Sequence, residues 1–177
     1  MRYLILDTET TGRVENSELA LDQQPQIIEF AGLIIDRYGQ IQDQMEFLVK
    51  PTVKLGSIIT KITGLKDGDL LDSKPMKDHM PSLKGFIESA DAVVAHNLSY
   101  DWDIINFESR RLHEIIMWPM IRICTVQESE HYQGFRLSLA ALHQHLFGEG
   151  FPEAHRAMND VKALARCFVE MCKRGDL

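Results

Sequence analysis

A surplus of basic residues is missing from this chain: 19 Lys and Arg stand against 26 Asp and Glu, a formal net charge of −7. That balance argues against a protein holding nucleic acid on a broad positive face, since such binding rests on neutralising phosphates with Lys and Arg. Long hydrophobic runs are also missing. No stretch approaches the roughly 20 apolar residues that span a bilayer, so no membrane partner is expected. The first catalytic candidate arrives at Asp7, too early for a signal-peptide apolar region to precede it. Cys124, Cys167 and Cys172 are odd in number and form no C-x-x-C pair. A disulfide framework is therefore not expected, and a reducing, cytoplasmic setting fits. Cys167 and Cys172 fall in an apolar helical pattern and read as buried structural thiols. No low-complexity tract, long linker or internal repeat divides the 177 residues, of which 45% are apolar. One domain covering residues 1–177, with a full core, is the expectation.

What is present begins at Leu4-Ile5-Leu6-Asp7-Thr8-Glu9-Thr10-Thr11-Gly12, an apolar run that stops on two carboxylates, three threonines and a glycine. Tyr3 to Leu6 is too short and too continuous for an amphipathic helix and reads as a strand buried on both faces. Asp7 and Glu9 are two apart, so on an extended chain both side chains leave the same face. Two like charges at the end of a buried strand are costly, and a divalent cation removes the penalty. Carboxylate oxygens are hard ligands suited to Mg2+ or Mn2+. For D-x-E alone, a strand end followed by an Asp/Thr/Gly turn is the favoured reading.

Arg13 to Gln26 is polar and aperiodic and reads as a loop, either a substrate-facing flap or an inert surface excursion. Ile27 to Asp36 and Ile41 to Lys50, separated by Tyr38-Gly39-Gln40, read as a hairpin paired with the first strand. Glu29 interrupts that first run, as an extra acid near a site or as a strand residue hydrogen-bonded to a neighbouring loop. A helical turn near Ile58 to Thr63 stops at Gly64, and a helix is predicted from about Met80 to Ala90. Ala92 to Ala95 is a second short apolar strand, ending on His96, Asn97, Ser99, Tyr100 and Asp101. Asp101 heads a helix running to about Ile116, with Ile105, Leu112 and Ile116 at helical spacing. It either points toward the strand ends or serves the helix's first turn. Met120 to Thr125 is a third strand, and helices are predicted over Val126–Tyr132, Ser138–Phe147 and Ala157–Lys173. His143 and His145 are two apart on a helix and cannot share a metal. Asp160 borders the core stripe of the last helix. His155, five residues earlier, would lie about 140° away in a continuous helix, so the two converge only if His155 is in the loop after Pro152.

Taken together, D-x-E at a first strand's end, H-N-x-x-x-D from strand to helix, and H-x-x-x-x-D opening a final helix place four acids and a histidine at three junctions. The chain resembles the DEDDh family of 3'-to-5' exonucleases, the group of the polymerase III epsilon subunit and RNase T. The likeness rests on Leu6 to Gly12, Ala95 to Asp101 and His155 to Asp160, and continues through Ile28 to Gly32 and Ile62 to Leu65. It implies an α/β RNase H-like fold, a five-stranded mixed sheet flanked by helices. It also implies two divalent ions, Mg2+ or Mn2+, held by Asp7, Glu9, Asp101 and Asp160. In that scheme Asp7 bridges both ions, Glu9 and Asp160 complete the tighter site, and Asp101 acts through a water. One ion lowers the pKa of its water and the second, about 4 Å away, stabilises the leaving 3' oxygen. His155 is the implied general base.

Thr10, Thr11 and Gly12 would contact the terminal nucleotide, His96 and Asn97 would shape its pocket, and Trp102 would either stack on a base or serve as plain core. Thr63 stands where many relatives carry His, which removes the basis for assigning a role there. The expected activity is release of nucleoside 5'-monophosphates from a nucleic-acid 3' terminus, with single-stranded DNA favoured. An exoribonuclease of the RNase T or oligoribonuclease type, or a non-catalytic polymerase-associated binding module, are the alternatives. Because the chain stops soon after its last helix, a freestanding nuclease is expected, with a polymerase or replication partner left open.

Overall fold

A computed structural model describes residues 1–151 and 156–177. In chain order its elements are β1 (Tyr3–Thr10), β2 (Ile27–Ile35), β3 (Ile41–Leu48), α1 (Ser57–Thr63), α2 (Met76–Glu88), β4 (Ala92–Ala95), α3 (Leu98–Arg111), β5 (Ile121–Cys124), α4 (Thr125–Glu128), α5 (Leu139–Phe147) and α6 (Ala157–Arg174). The strands form one sheet in the order β3-β2-β1-β4-β5. β1 pairs antiparallel with β2 and parallel with β4, and β5 continues the parallel side. The expected five-stranded mixed sheet is thus the one observed.

Both faces are covered. Leu4, Leu6, Phe30 and Val93 pack against Met80, Leu83 and Ile87 of α2 and Ile104 and Ile105 of α3. On the other face Ile5, Leu33, Ile35 and Val94 meet Val161, Leu164 and Phe168 of α6. This burial on two sides explains why β2 is buried along its whole length and why β1 begins as a continuous apolar run. β3, at the edge, carries Gln42, Asp43, Gln44 and Glu46 toward solvent, a polar rim that discourages edge-to-edge pairing. Gly32 is required by α2: a Cβ there would stand 2.8 Å from the Phe86 ring and 3.2 Å from Leu4.

Several boundaries differ from expectation. β1 runs four residues past Leu6, so both acids lie on the strand itself. α2 starts at Met76 rather than near Met80 and carries Pro81 inside it. The proline removes one backbone hydrogen bond, but the buried stripe Met76, Met80, Leu83, Phe86 and Ile87 outweighs that loss. α3 begins three residues before Asp101 and ends at Arg111, where the chain turns through a left-handed His113. Ile116 nevertheless reaches the core from the segment beyond.

Candidate active site

Alternation along β1 sorts the site. Odd residues Ile5, Asp7 and Glu9 face α6, and even residues Thr8 and Thr10 face α3. α6 carries Asp160 in its first turn on the side that meets this face. Asp7, Glu9 and Asp160 each offer a carboxylate oxygen, and these oxygens all lie within 4.8 Å of one another. Among the described residues this is the cluster of acids fit to hold a metal. Three hard oxygen donors with unbalanced negative charge suit a divalent cation.

The electrostatics agree. Burial, then the charges of Asp101, Glu9, Asp160 and Glu29, hold the Asp7 carboxyl well above the usual carboxylate range. Glu9 is pushed up to about 8, by burial first and then by Asp160, Glu29 and Asp101, against a smaller opposing effect of Arg156. Groups so shifted are poised to bind a cation, which replaces the proton they otherwise retain.

Asp101 approaches from the other side. β4 runs parallel to β1, with Ile5 beside Val94, so the turn after β4 delivers the start of α3 next to Thr8. Asn97 makes that turn in the left-handed region at φ 74°, a conformation asparagine tolerates. The Thr8 hydroxyl donates to Asp101 Oδ1 at 2.7 Å. Burial raises Asp101 to about 7, and the Thr8 contacts moderate the rise. Its charge is the largest single-group influence on Asp7, although it stands apart from the three-oxygen cluster.

The remaining sequence candidates divide. Thr10, Thr11 and Gly12 are fastened beside the acids: Tyr100 Oη donates to the Gly12 carbonyl at 2.8 Å and also meets the Thr10 hydroxyl. Thr11 exchanges hydrogen bonds with Gln26 at the far end of the loop. The His96 ring lies between the Leu137 carbonyl, 3.1 Å from Nε2, and the Thr125 hydroxyl, 3.0 Å from Nδ1. A carbonyl only accepts, so Nε2 carries the proton and Nδ1 accepts from Thr125. Burial lowers this imidazole to about 4 and keeps it neutral. Trp102 is half-buried beside Trp118, with the Arg122 guanidinium 3.8 Å over its ring. It lines a cleft of about 280 Å³ with Leu98, Ser99, Cys124 and Gln127. His155 lies outside the described residues, between Phe151 and Arg156.

Four contributors were given no role by the sequence. Thr8 orients Asp101, and strand alternation held the signal, since the residue between two acids must face the opposite element. Tyr100 ties Thr10 and Gly12 down, and the sequence marks it only as one of the polar groups after the Ala92 to Ala95 strand. Arg111 donates to the carbonyls of Leu21, Gln24 and Pro25, while Glu108 accepts from Ile27 N–H. The segment between β1 and β2 is therefore stapled to α3 at its C-terminal half.

Residues 4–168 match the model of the RNase_T family, described as exonuclease. The chain is 27% identical over 173 residues to the DNA polymerase III PolC-type of Caldanaerobacter subterraneus subsp. tengcongensis, and 28% identical over 176 residues to that of Thermotoga petrophila. Each alignment takes in 97% of this chain but only 12% of the relative's length. Among solved structures it resembles Exonuclease X in complex with 5' overhanging duplex DNA (TM-score 0.70, 23% identity, 98% of this chain and 93% of that one). It also resembles the nuclease domain of 3'hExo, a DEDDh family member, bound to rAMP (TM-score 0.78, 16% identity, 98% and 92%). These likenesses establish the RNase H-like fold. Sheet, flanking helices and carboxylate cluster together define a nuclease domain whose acids are fit to hold a divalent metal. The chain belongs to the exonuclease family that the match identifies.

Proposed function

We propose that this domain, acting as one unit over residues 1–177, removes nucleoside 5'-monophosphates from the 3' end of single-stranded DNA with two Mg2+ or Mn2+ ions. The observation that carries the proposal is the convergence of Asp7, Glu9 and Asp160, from β1 and α6, to within 4.8 Å. When bound, the ions supply an acidified water and stabilise charge on the departing 3' oxygen. Asp7, Glu9 and Asp160 would hold the ions, with Asp101, oriented by Thr8, as the further acid beside them. His155 takes the proton of the attacking water, a task for a side chain that titrates near neutrality. The backbone of Thr10, Thr11 and Gly12 seats the terminal nucleotide, His96 and Asn97 shape its surroundings, and Trp102 offers a stacking face.

The likeness to PolC-type polymerases supports DNA as substrate and a replication setting with a polymerase as partner, in place of the freestanding nuclease expected from the sequence. Among the described residues no helix is long and apolar enough to cross a membrane. A second reading, an exoribonuclease, is supported by the likeness to 3'hExo bound to rAMP. A purely binding role has no use for the full set of acids. The test is degradation of 3'-labelled and 5'-labelled single-stranded DNA, RNA and mismatched duplex, with and without chelator. Immediate release of the 3' label as mononucleotide, a shortening ladder from the 5' label, and loss of both in chelator are expected. Asp7→Ala and Asp160→Ala should abolish release while keeping the fold; full activity of either in excess metal would refute the proposal.

A further inference from the structure

We propose that Glu29 and Arg156 are positioning residues, a charged clamp that fixes the start of α6 and thereby sets Asp160 against Asp7 and Glu9. The inference rests on the metal-centre reading above. Glu29 lies within β2, 1% exposed, directly opposite Glu9 in the β1–β2 register. A carboxylate here is electrostatically unwelcome, because its charge adds to the repulsion already acting on Asp7 and Glu9. Its observed partners all sit at one place, the beginning of α6. Arg156 Nε donates at 3.2 Å to each oxygen, Nη2 donates to Oε1 at 3.0 Å, and the Ala157 backbone N–H donates to Oε2 at 3.3 Å.

That arrangement fixes orientation as well as distance. The guanidinium fork sets the plane of the carboxylate, and the Ala157 bond holds one of the donors that a helix start leaves unmatched. Arg156 is the N-cap of α6, and Asp160 follows within the first turn. With its first residue pinned to the strand beside β1, a rigid turn carries Asp160 to the cluster. Unpinned, that turn frays as helix ends do, and one of three ligands loses its fixed place. Lysine would keep the charge but lose the fork.

The test compares Glu29→Gln, Arg156→Lys, Arg156→Met and the double variant E29Q/R156M by Mg2+ titration of activity, Mn2+ calorimetry, substrate KM and thermal melting. Glu29→Gln and Arg156→Met are each expected to raise the metal concentration for half-maximal activity roughly tenfold, the loss typical when a ligand's supporting partner is removed. KM should stay within about twofold, Arg156→Lys should fall between native and Met, and the double variant should be no worse than the poorer single one. A merely structural pair would lower the melting temperature and leave the metal midpoint where it was. That result, or losses that multiply in the double variant, overturns the clamp. Should Glu29→Gln fail to fold, the variants of half-exposed Arg156 decide alone. Native protein inactive in both metals sinks the metal-centre reading, whereas native activity with an unmoved midpoint in Arg156→Met sinks only the clamp.

Discussion

Stripped of divalent metal, the protein should lose stability as pH rises through neutrality. Glu9 titrates near 8 in the folded chain against 4.5 as the ordinary value, so between these limits the folded state binds the extra proton. Stability then falls with rising pH, by about 1.36 kcal/mol per unit for each group so shifted. Below about 6.5 the trend is masked. His96 is depressed to about 4, so there the unfolded chain binds the additional proton and its stability contribution rises with pH. The clean window is therefore pH 6.5 to 8, where Glu9 alone accounts for about 2 kcal/mol, or a fall of roughly 4–8 °C in melting temperature for a chain of this size. Asp7 and Asp101 are shifted the same way and share one field, so their effects steepen the fall without simply adding. Thermal melts in EDTA across this window should show the decline. Saturating Mg2+ or Mn2+ should abolish it by keeping the carboxylates ionised, and Glu9→Gln should flatten it. A melting temperature in EDTA that is level or rising from pH 6.5 to 8, or an unchanged slope in Glu9→Gln, would refute the reasoning.

Replacing His155 with Ala should lower turnover by about two to four orders of magnitude with metal affinity retained; calorimetry showing lost affinity would make it a ligand instead. Thr8→Val removes the donor to Asp101 and should move the pH needed for Mn2+ binding upward by about one to two units, with Thr8→Ser restoring it; an unmoved binding curve counts against the Thr8 contact. Arg111→Met leaves the buried Glu108 without its cation and frees three carbonyls, costing about 3 kcal/mol and opening residues 13–26 to limited proteolysis. An unaltered digestion pattern would show that the loop is held by other means.

The sequence by itself determined the order of strands and helices and which acids share a strand face. Period-two alternation placed Asp7 and Glu9 on one face, the short apolar runs at Ala92 and Ile121 marked the parallel strands, and Gly64 ended α1 in a left-handed turn as expected. Such features are local, because they follow from backbone geometry within a few residues. Boundaries governed by packing were not accessible this way: α2 runs through Pro81 because its buried stripe extends back to Met76.

Only the tertiary structure decided which charges meet. Glu29 was open to two readings, and its link to Arg156 joins residues 127 positions apart. Thr8 reaches Asp101 across 93 positions, and Asp160 joins Asp7 and Glu9 only because α6 packs on the odd face of β1. Side-chain alternation is written into consecutive residues. The partner that each face receives depends on strand order and helix placement, which are settled by burial of the whole chain at once.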